Sequence, residues 1–133
     1  MHRFLAACLF LLPFAGHAAD LRGLWVGYYA YGPGQQVEAA MVLEQLDEKI
    51  AGLMIERQTF GDEIIPGLPS YLLEGKLSDD LLSFQKHYAH QEEGDPVVYR
   101  LMVSTDGRML TGFWSVGGMQ GTATFHRAAA MEE

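Results

Sequence analysis

Two basic side chains, Arg57 and Lys86, occur in segments that are otherwise rich in apolar and aromatic residues. Successive residues of a β-strand point to opposite faces, and the large apolar residues indicate which face is buried. By this parity both cations point inward. Six aromatic residues share their side: Tyr29, Tyr31, Tyr71, Tyr88, Tyr99 and Trp114. A lone buried cation is costly, so each needs a partner, and the set predicts a binding site for an anionic or strongly polar small molecule.

A structural role is the alternative for the same side chains. The cations could lie near the rim and extend to water, or pair with an acid such as Glu63 or Glu92. A tyrosine-rich interior could also be ordinary core in which each hydroxyl finds a local partner. These alternatives predict a filled interior instead of a ligand site.

The elements that must position these residues are eight short β-strands, each followed by a turn signal. The predicted strands span residues 24–31, 37–46, 50–60, 71–77, 81–88, 97–104, 108–116 and 119–127. Residues 37–46 could also form a helix, but their alternation with a period of two favours a strand. Since an open sheet of this size leaves two unprotected edges, the pattern predicts an all-β fold, an eight-stranded antiparallel up-and-down barrel.

Strand direction places all eight candidate residues at one end of this barrel. In a meander, odd strands end where even strands begin, and the candidates lie late in odd strands or early in even ones. The connections after the first, third and fifth strands are at this end and are predicted to be long. We therefore expect a mouth here and a plugged base opposite, in a barrel just wide enough to be filled or to hold one small ligand.

The start of the first strand, Gly23-Leu24-Trp25, resembles the Gly-x-Trp signature of the calycin barrels, which include lipocalins, fatty-acid-binding proteins and avidins. In those families an Arg near the end of the last strand packs over that Trp and closes the base. Arg127 is in the matching place, so the resemblance implies a structural base of Trp25 and Arg127. The Asn and Ser pattern that avidins use on biotin does not follow the first strand, and a second lipocalin motif is not found. Biotin binding therefore does not carry over.

Residues 1–19 have the organisation of a secretory signal peptide: a weakly basic start, an apolar run over 4–14, and small residues at 15–19. The run is shorter than the about 20 residues of a permanent anchor. Leu5-Ala6-Ala7-Cys8 resembles a lipobox, but most of the apolar region follows Cys8, so a lipoprotein is the less favoured alternative. We expect residues 20–133 to form one domain that is periplasmic or secreted.

The charge of the chain limits its possible partners, and its cysteine content limits its possible disulfides. All 17 acidic residues follow position 19, against eight of the nine Lys and Arg, because Arg3 lies before it. A net-acidic surface argues against nucleic acid and anionic membrane as partners. Cys8 is the only cysteine, so a domain over residues 20–133 contains no disulfide.

Signatures of enzymes, metal sites and cofactor sites are weak. His87-x-x-His90 followed by Glu92 and Glu93 has the residue types of a metal site. However, His87 points outward by parity and the rest is loop, so we predict a solvated loop and no metal. The chain contains no nucleophile elbow and no Gly-rich turn leading into a helix, and we predict no catalytic residue and no cofactor.

These observations predict an exported protein that binds a small molecule in an aromatic, cation-containing pocket at the long-loop end. The alternative is a protein-interaction module or inhibitor of the cell envelope, with a filled barrel and acidic binding loops at residues 61–69 and 89–96. Fold alone does not decide between them. A cavity of about 300 Å³ or more would favour the ligand.

The signal peptide leads to a direct prediction about the native protein. Its intact mass should lack residues 1–18 or 1–19, because signal peptidase cuts after small residues. Mass spectrometry of the protein from its own cells measures this. A mature chain that begins at a lipid-modified Cys8 would contradict the prediction and place the protein on a membrane surface.

Overall fold

The computed structural model describes residues 19–60, 63–65, 69–89 and 94–128, without the side chains of 58–60 and 63–65. Within them the chain forms ten β-strands: β1 (Gly23–Gly32), β2 (Gln35–Leu46), β3 (Lys49–Glu56), β4 (Gln58–Phe60), β5 (Glu63–Ile65), β6 (Pro69–Ser78), β7 (Leu81–Tyr88), β8 (Val97–Val103), β9 (Met109–Val116) and β10 (Met119–Arg127). Across this part of the chain no helix is long and apolar enough to cross a membrane.

Eight of these strands close a barrel in the order β1-β10-β9-β8-β7-β6-β3-β2, with every neighbouring pair antiparallel. The predicted eight-stranded up-and-down barrel is therefore confirmed, including the strand at residues 37–46. The predicted third strand is too long, because β3 ends at Glu56. The strands β4 and β5 that follow it form a separate two-stranded hairpin.

The connections differ in length between the two ends. Tight turns join β2 to β3, β6 to β7 and β8 to β9, all at the predicted base. The connection after β1 was expected to be long, but it is the two-residue turn Pro33-Gly34. Gly34 has a φ of 74°, a left-handed conformation that glycine adopts without strain, and this allows the short turn.

The base is closed by Trp25 and Arg127. The Trp25 ring is fully buried, and the Arg127 guanidinium lies 4.5 Å from its centroid. Arg127 also donates hydrogen bonds to the carbonyl oxygens of Arg22, at 2.8 Å, and Asp20. Because the guanidinium covers the ring and binds the backbone before β1, it connects the last strand of the barrel to the start of the first.

A short segment before β1, residues 19–22, crosses this base and was not anticipated from the sequence. Leu21 is fully buried, and its carbonyl accepts a 2.9 Å hydrogen bond from Trp25 Nε1. The Gln45 side chain accepts from Leu21 N at 2.7 Å and donates to Ala19 O at 3.0 Å. Leu21 therefore plugs the barrel from below, and the two polar side chains Gln45 and Arg127 hold the plug in place.

The predicted inward orientation is wrong for Arg57, which follows β3, and for Tyr71 on β6. It is correct for Tyr29, Lys86, Tyr88, Tyr99 and Trp114. On β3, Met54 and Glu56 are buried, while Leu53, Ile55 and the following residue Arg57 are exposed. The cause is the register with β2, since directly paired residues share a face. The inward residues of β2 stand opposite Gly52, Met54 and Glu56.

On β6 a β-bulge reverses the parity partway along the strand. The pairing with β7 shifts between Leu73 and Lys76, and Glu74 within the shift has a φ of 53°. An extra residue at a bulge turns the following side chains to the other face. Leu77 and Leu72 are consequently both buried, and the predicted inward orientation of Tyr71 is wrong.

The base geometry predicts a large effect of Trp25→Ala on stability. Removing a buried tryptophan should lower the free energy of unfolding by about 3–5 kcal/mol. Arg127→Ala should lower it by less, mainly by uncovering Trp25. Trp25→Phe is the matched control: it keeps a ring under Arg127, loses the hydrogen bond to Leu21 and part of the ring volume, and should lower stability by less than Trp25→Ala. Chemical denaturation measures all three, and a parent-like midpoint for Trp25→Ala would contradict the closed base.

Candidate functional site

A buried ion pair lies inside the barrel toward the predicted mouth. Glu56 ends β3 and Lys86 lies in β7, on either side of β6 in the barrel wall. Lys86 Nζ donates to Glu56 Oε2 at 2.7 Å, and each side chain is only 1% exposed. The partner that the Lys86 charge requires is therefore an interior acid of this same chain.

Three tyrosines complete the polar surroundings of this pair. The Tyr29 hydroxyl donates to Glu56 Oε1 at 2.5 Å, and the Tyr88 hydroxyl donates to the same oxygen at 3.3 Å. Lys86 Nζ donates to the Tyr99 hydroxyl at 3.5 Å. Nζ also lies 4.7 Å from the ring centroids of Tyr29 and Tyr88, within the range of cation–π attraction. Both charges are thus surrounded by aromatic rings and hydroxyl groups; we call these five residues the polar cluster.

Electrostatics keep the tyrosines of the polar cluster in their neutral, hydrogen-donating form. Burial, reinforced by the negative Glu56, raises the pKa of Tyr88 to about 12. The same causes raise the pKa of Tyr29 and Tyr99 further. Burial lowers the pKa of Lys86, and the adjacent carboxylate offsets part of that shift. At neutral pH the hydroxyls of Tyr29 and Tyr88 therefore remain donors to Glu56.

An aromatic layer extends from the polar cluster toward the exposed end of β1. Trp114 lies 6.0 Å from Tyr29 in an edge-to-face arrangement, and Tyr31 lies 6.4 Å from Tyr29 on the other side. Trp114 Nε1 donates to the Ala30 carbonyl at 3.0 Å. Gly121 gives the indole its room, since a Cβ there would lie 2.6 Å from Nε1. Tyr29 and Tyr88 are partly exposed, so the layer presents aromatic surface at this end of the barrel.

One buried hydroxyl near the polar cluster has no hydrogen-bond partner among the residues that the structure describes. Ser70 lies on β6 with its Oγ buried, opposite Met54 on one side and Tyr88 on the other. An unsatisfied buried hydroxyl costs about 1–3 kcal/mol. The polar cluster therefore satisfies its charged groups but leaves this neighbouring group unpaired.

The structure brings together five of the eight predicted site residues, namely Tyr29, Lys86, Tyr88, Tyr99 and Trp114. Tyr31 lies at the edge of the group and is about half exposed. The other two, Arg57 and Tyr71, were predicted to point inward and do not. Arg57 instead forms an exposed ion pair with Glu38 at 3.4 Å.

Sequence reasoning missed Glu56, although a signal for it was present. The two-residue turn at Asp47-Glu48 sets the register of β2 against β3 and pairs Leu43 with Gly52. Leu43 belongs to the apolar side of the period-two alternation of β2, so counting along β3 by twos from its partner Gly52 reaches Glu56 as an inward residue. The large apolar residues Leu53 and Ile55 outweighed this argument.

The remaining predicted features lie partly outside the described residues. Of the acidic loops, residues 61–62, 66–68 and 90–93 are outside, and so are His90, Glu92 and Glu93 of the potential metal motif. His87 forms a 3.3 Å contact with Gln85 on the outer face of β7. Comparison with protein-family models, curated proteins and solved structures finds no match to this chain.

The ion pair predicts that Lys86→Met destabilises the protein. The substitution leaves Glu56 buried without its countercharge, and breaking such a pair lowers stability by about 3–5 kcal/mol. The double variant Glu56→Gln with Lys86→Met should recover most of the loss, because neither charge remains. Thermal and urea unfolding measure both.

The matched control for this prediction is Arg57→Met. It breaks the exposed pair with Glu38, which contributes at most about 1 kcal/mol. If Lys86→Met is as stable as Arg57→Met, the buried pair does not have the structural role described here.

Proposed function

We propose that this chain is an exported protein that binds a small molecule at the mouth end of its barrel. The ligand would rest on the aromatic layer, above the polar cluster. One observation carries the proposal: an otherwise apolar interior contains a charged and hydroxyl-rich cluster at one end, and the base end is plugged by Leu21 and Trp25.

Stability alone gives a poor account of this cluster. Replacing a buried ion pair by well-packed apolar residues is often neutral or stabilising. Ionisable groups shifted by burial and by a specific partner are typical of functional sites. Lys86 is such a group, and the partly exposed rings of Tyr29 and Tyr88 are the surface through which a ligand would contact it.

The charges favour an uncharged ligand. The sequence indicated an anionic one because Lys86 lacked an evident partner. Glu56 lies 2.7 Å from Nζ, so an anion would have to displace a carboxylate or remain beside it. An uncharged aromatic molecule avoids this repulsion and can stack on the layer, while its polar groups bond to tyrosine hydroxyls.

The proposal also concerns the superfamily of this chain and its place in the cell. The Gly23-Leu24-Trp25 start, the closed eight-stranded barrel and the stacking of Arg127 on Trp25 together support membership of the calycin superfamily. Small barrels of this kind commonly hold one ligand. The apolar run and small residues within 1–19 support export to the periplasm or beyond the cell.

A protein-interaction module with a filled barrel is the second candidate. It is favoured by the nearly complete burial of Glu56 and Lys86, which already satisfy each other. Such a protein would bind its partner through the acidic loops at residues 61–69 and 89–96. Native mass spectrometry of the protein from its own cells separates the candidates, since a bound small molecule supports the first and a bound protein the second.

Two fluorescent probes of the same shape test the proposed site. N-phenyl-1-naphthylamine is uncharged, and 8-anilinonaphthalene-1-sulfonate adds one negative charge. We expect the uncharged probe to bind at least about tenfold more tightly, a difference of about 1.4 kcal/mol. Equilibrium fluorescence titration measures both dissociation constants, and tighter binding of the sulfonate would overturn the uncharged-ligand proposal.

A pair of tyrosine variants locates the probe. Tyr88→Ala removes a partly exposed ring of the polar cluster at the mouth and should weaken binding of the uncharged probe at least about tenfold. Tyr71→Ala removes an outward-facing tyrosine and should leave it unchanged. Equal effects of the two substitutions would show that the probe binds elsewhere, and the mouth site would then be wrong.

A further inference from the structure

The outside of the barrel carries an ordered apolar surface. Leu24, Val42, Leu53 and Tyr71 lie side by side across β1, β2, β3 and β6, each directly paired with the next. They are between 44% and 51% exposed. The adjacent outward row along the same strands is also apolar and consists of Val26, Ala40, Ile55 and Pro69. We call these two rows the apolar face.

Charged residues border the apolar face but do not enter it. The Arg57–Glu38 ion pair lies at its mouth edge, and Glu44 on β2 lies at its base edge. An apolar centre with a polar rim is typical of protein–protein interfaces. Contiguous exposed apolar patches on soluble domains likewise mark interaction sites.

We propose that the apolar face is the interface of a homodimer, in which β1, β2, β3 and β6 of two copies pack face to face. The proposal concerns the outer surface and does not rest on the ligand site inside the barrel. The exposed side chains Leu53, Ile55 and Tyr71 would then be buried by the second copy.

Charge favours a second copy as the occupant. The chain has a net charge of −8, so most contacts between two copies would bring like charges together. The two rows of the apolar face contain no ionisable group other than the Tyr71 phenol. Two acidic copies can therefore meet here without repulsion at the centre of the contact.

The edges of the apolar face indicate how the copies are oriented. A twofold axis lying in the face and running across the strands sets β2 of one copy against β2 of the other, and Glu38 of one copy then meets Glu44 of the other. An axis along the strands, between β2 and β3, instead sets β2 of one copy against β3 of the other. Arg57 of each copy then approaches Glu38 of the other, so this orientation is favoured.

The area of the apolar face suits a modest interface. Four strands spaced about 4.8 Å apart and two rows that span three residues of each strand give a face of roughly 20 by 15 Å with its side chains. A pair of such faces buries on the order of 600–800 Å², in the range of weak and transient interfaces. We therefore expect a reversible dimer with a dissociation constant in the micromolar range.

Sedimentation velocity over about 1–300 µM of the exported protein tests this proposal, since that range brackets a micromolar dissociation constant. The parent should pass from monomer to dimer with rising concentration. Leu53→Glu places a charge at the centre of the apolar face and should raise the dissociation constant at least about tenfold. A monomer throughout the range would overturn the proposal. The apolar face would then be open to a different protein partner and would not be a dimer interface.

The matched control is Phe113→Glu on β9. Phe113 is 64% exposed, and its directly paired neighbours Arg100 and Thr122 are polar, so it lies outside the apolar face. This variant should dimerise like the parent. Circular dichroism melts of both variants confirm that the barrel is intact, and equal weakening by Phe113→Glu and Leu53→Glu would place the interface elsewhere and overturn the proposal.

Discussion

The interior of this barrel is organised by one electrostatic constraint: two opposite charges are buried together, and neither is tolerable without the other. Glu56 and Lys86 lie on strands separated by β6, so their 2.7 Å contact links non-adjacent parts of the wall. Because desolvation acts on both ions, the remaining donors and acceptors around them must also be supplied. Tyr29, Tyr88 and Tyr99 supply them, and this requirement accounts for the concentration of tyrosine at one end.

The opposite end of the barrel is closed by a different set of interactions. Trp25, Leu21 and the Arg127 guanidinium form a plug that combines apolar burial with hydrogen bonds to backbone. The Gly-x-Trp start and the late arginine made Trp25 and Arg127 predictable from the sequence. Leu21 and Gln45 were not predictable, because the segment before β1 has no strand periodicity and its contacts are set by the folded base.

The fold could be predicted because eight alternating segments with turn signals leave few other topologies, whereas the site depended on side-chain parity. Parity held where a strand is regular, as on β7, which places Lys86 and Tyr88 inside. It failed on β6, where a bulge at Glu74 reverses the faces, and a bulge has no firm signature in a single sequence. It failed on β3 because burial of Leu53 and Ile55 was assumed to dominate.

The β3 register connects the two proposals. A one-residue slip would bury Leu53, Ile55 and Arg57 and expose Glu56. By apolar burial alone the two registers are closely matched, since the slip moves Leu53 and Ile55 inside but exposes the buried Ile50 and Met54. The turn at residues 47–48 and the countercharge on Lys86 stabilise the observed register, which leaves Leu53 and Ile55 on the outer surface. The same register therefore forms the polar cluster inside the barrel and the apolar face outside it. Dimerisation would bury the aliphatic side chains of Leu53 and Ile55, which this register leaves on the outer surface.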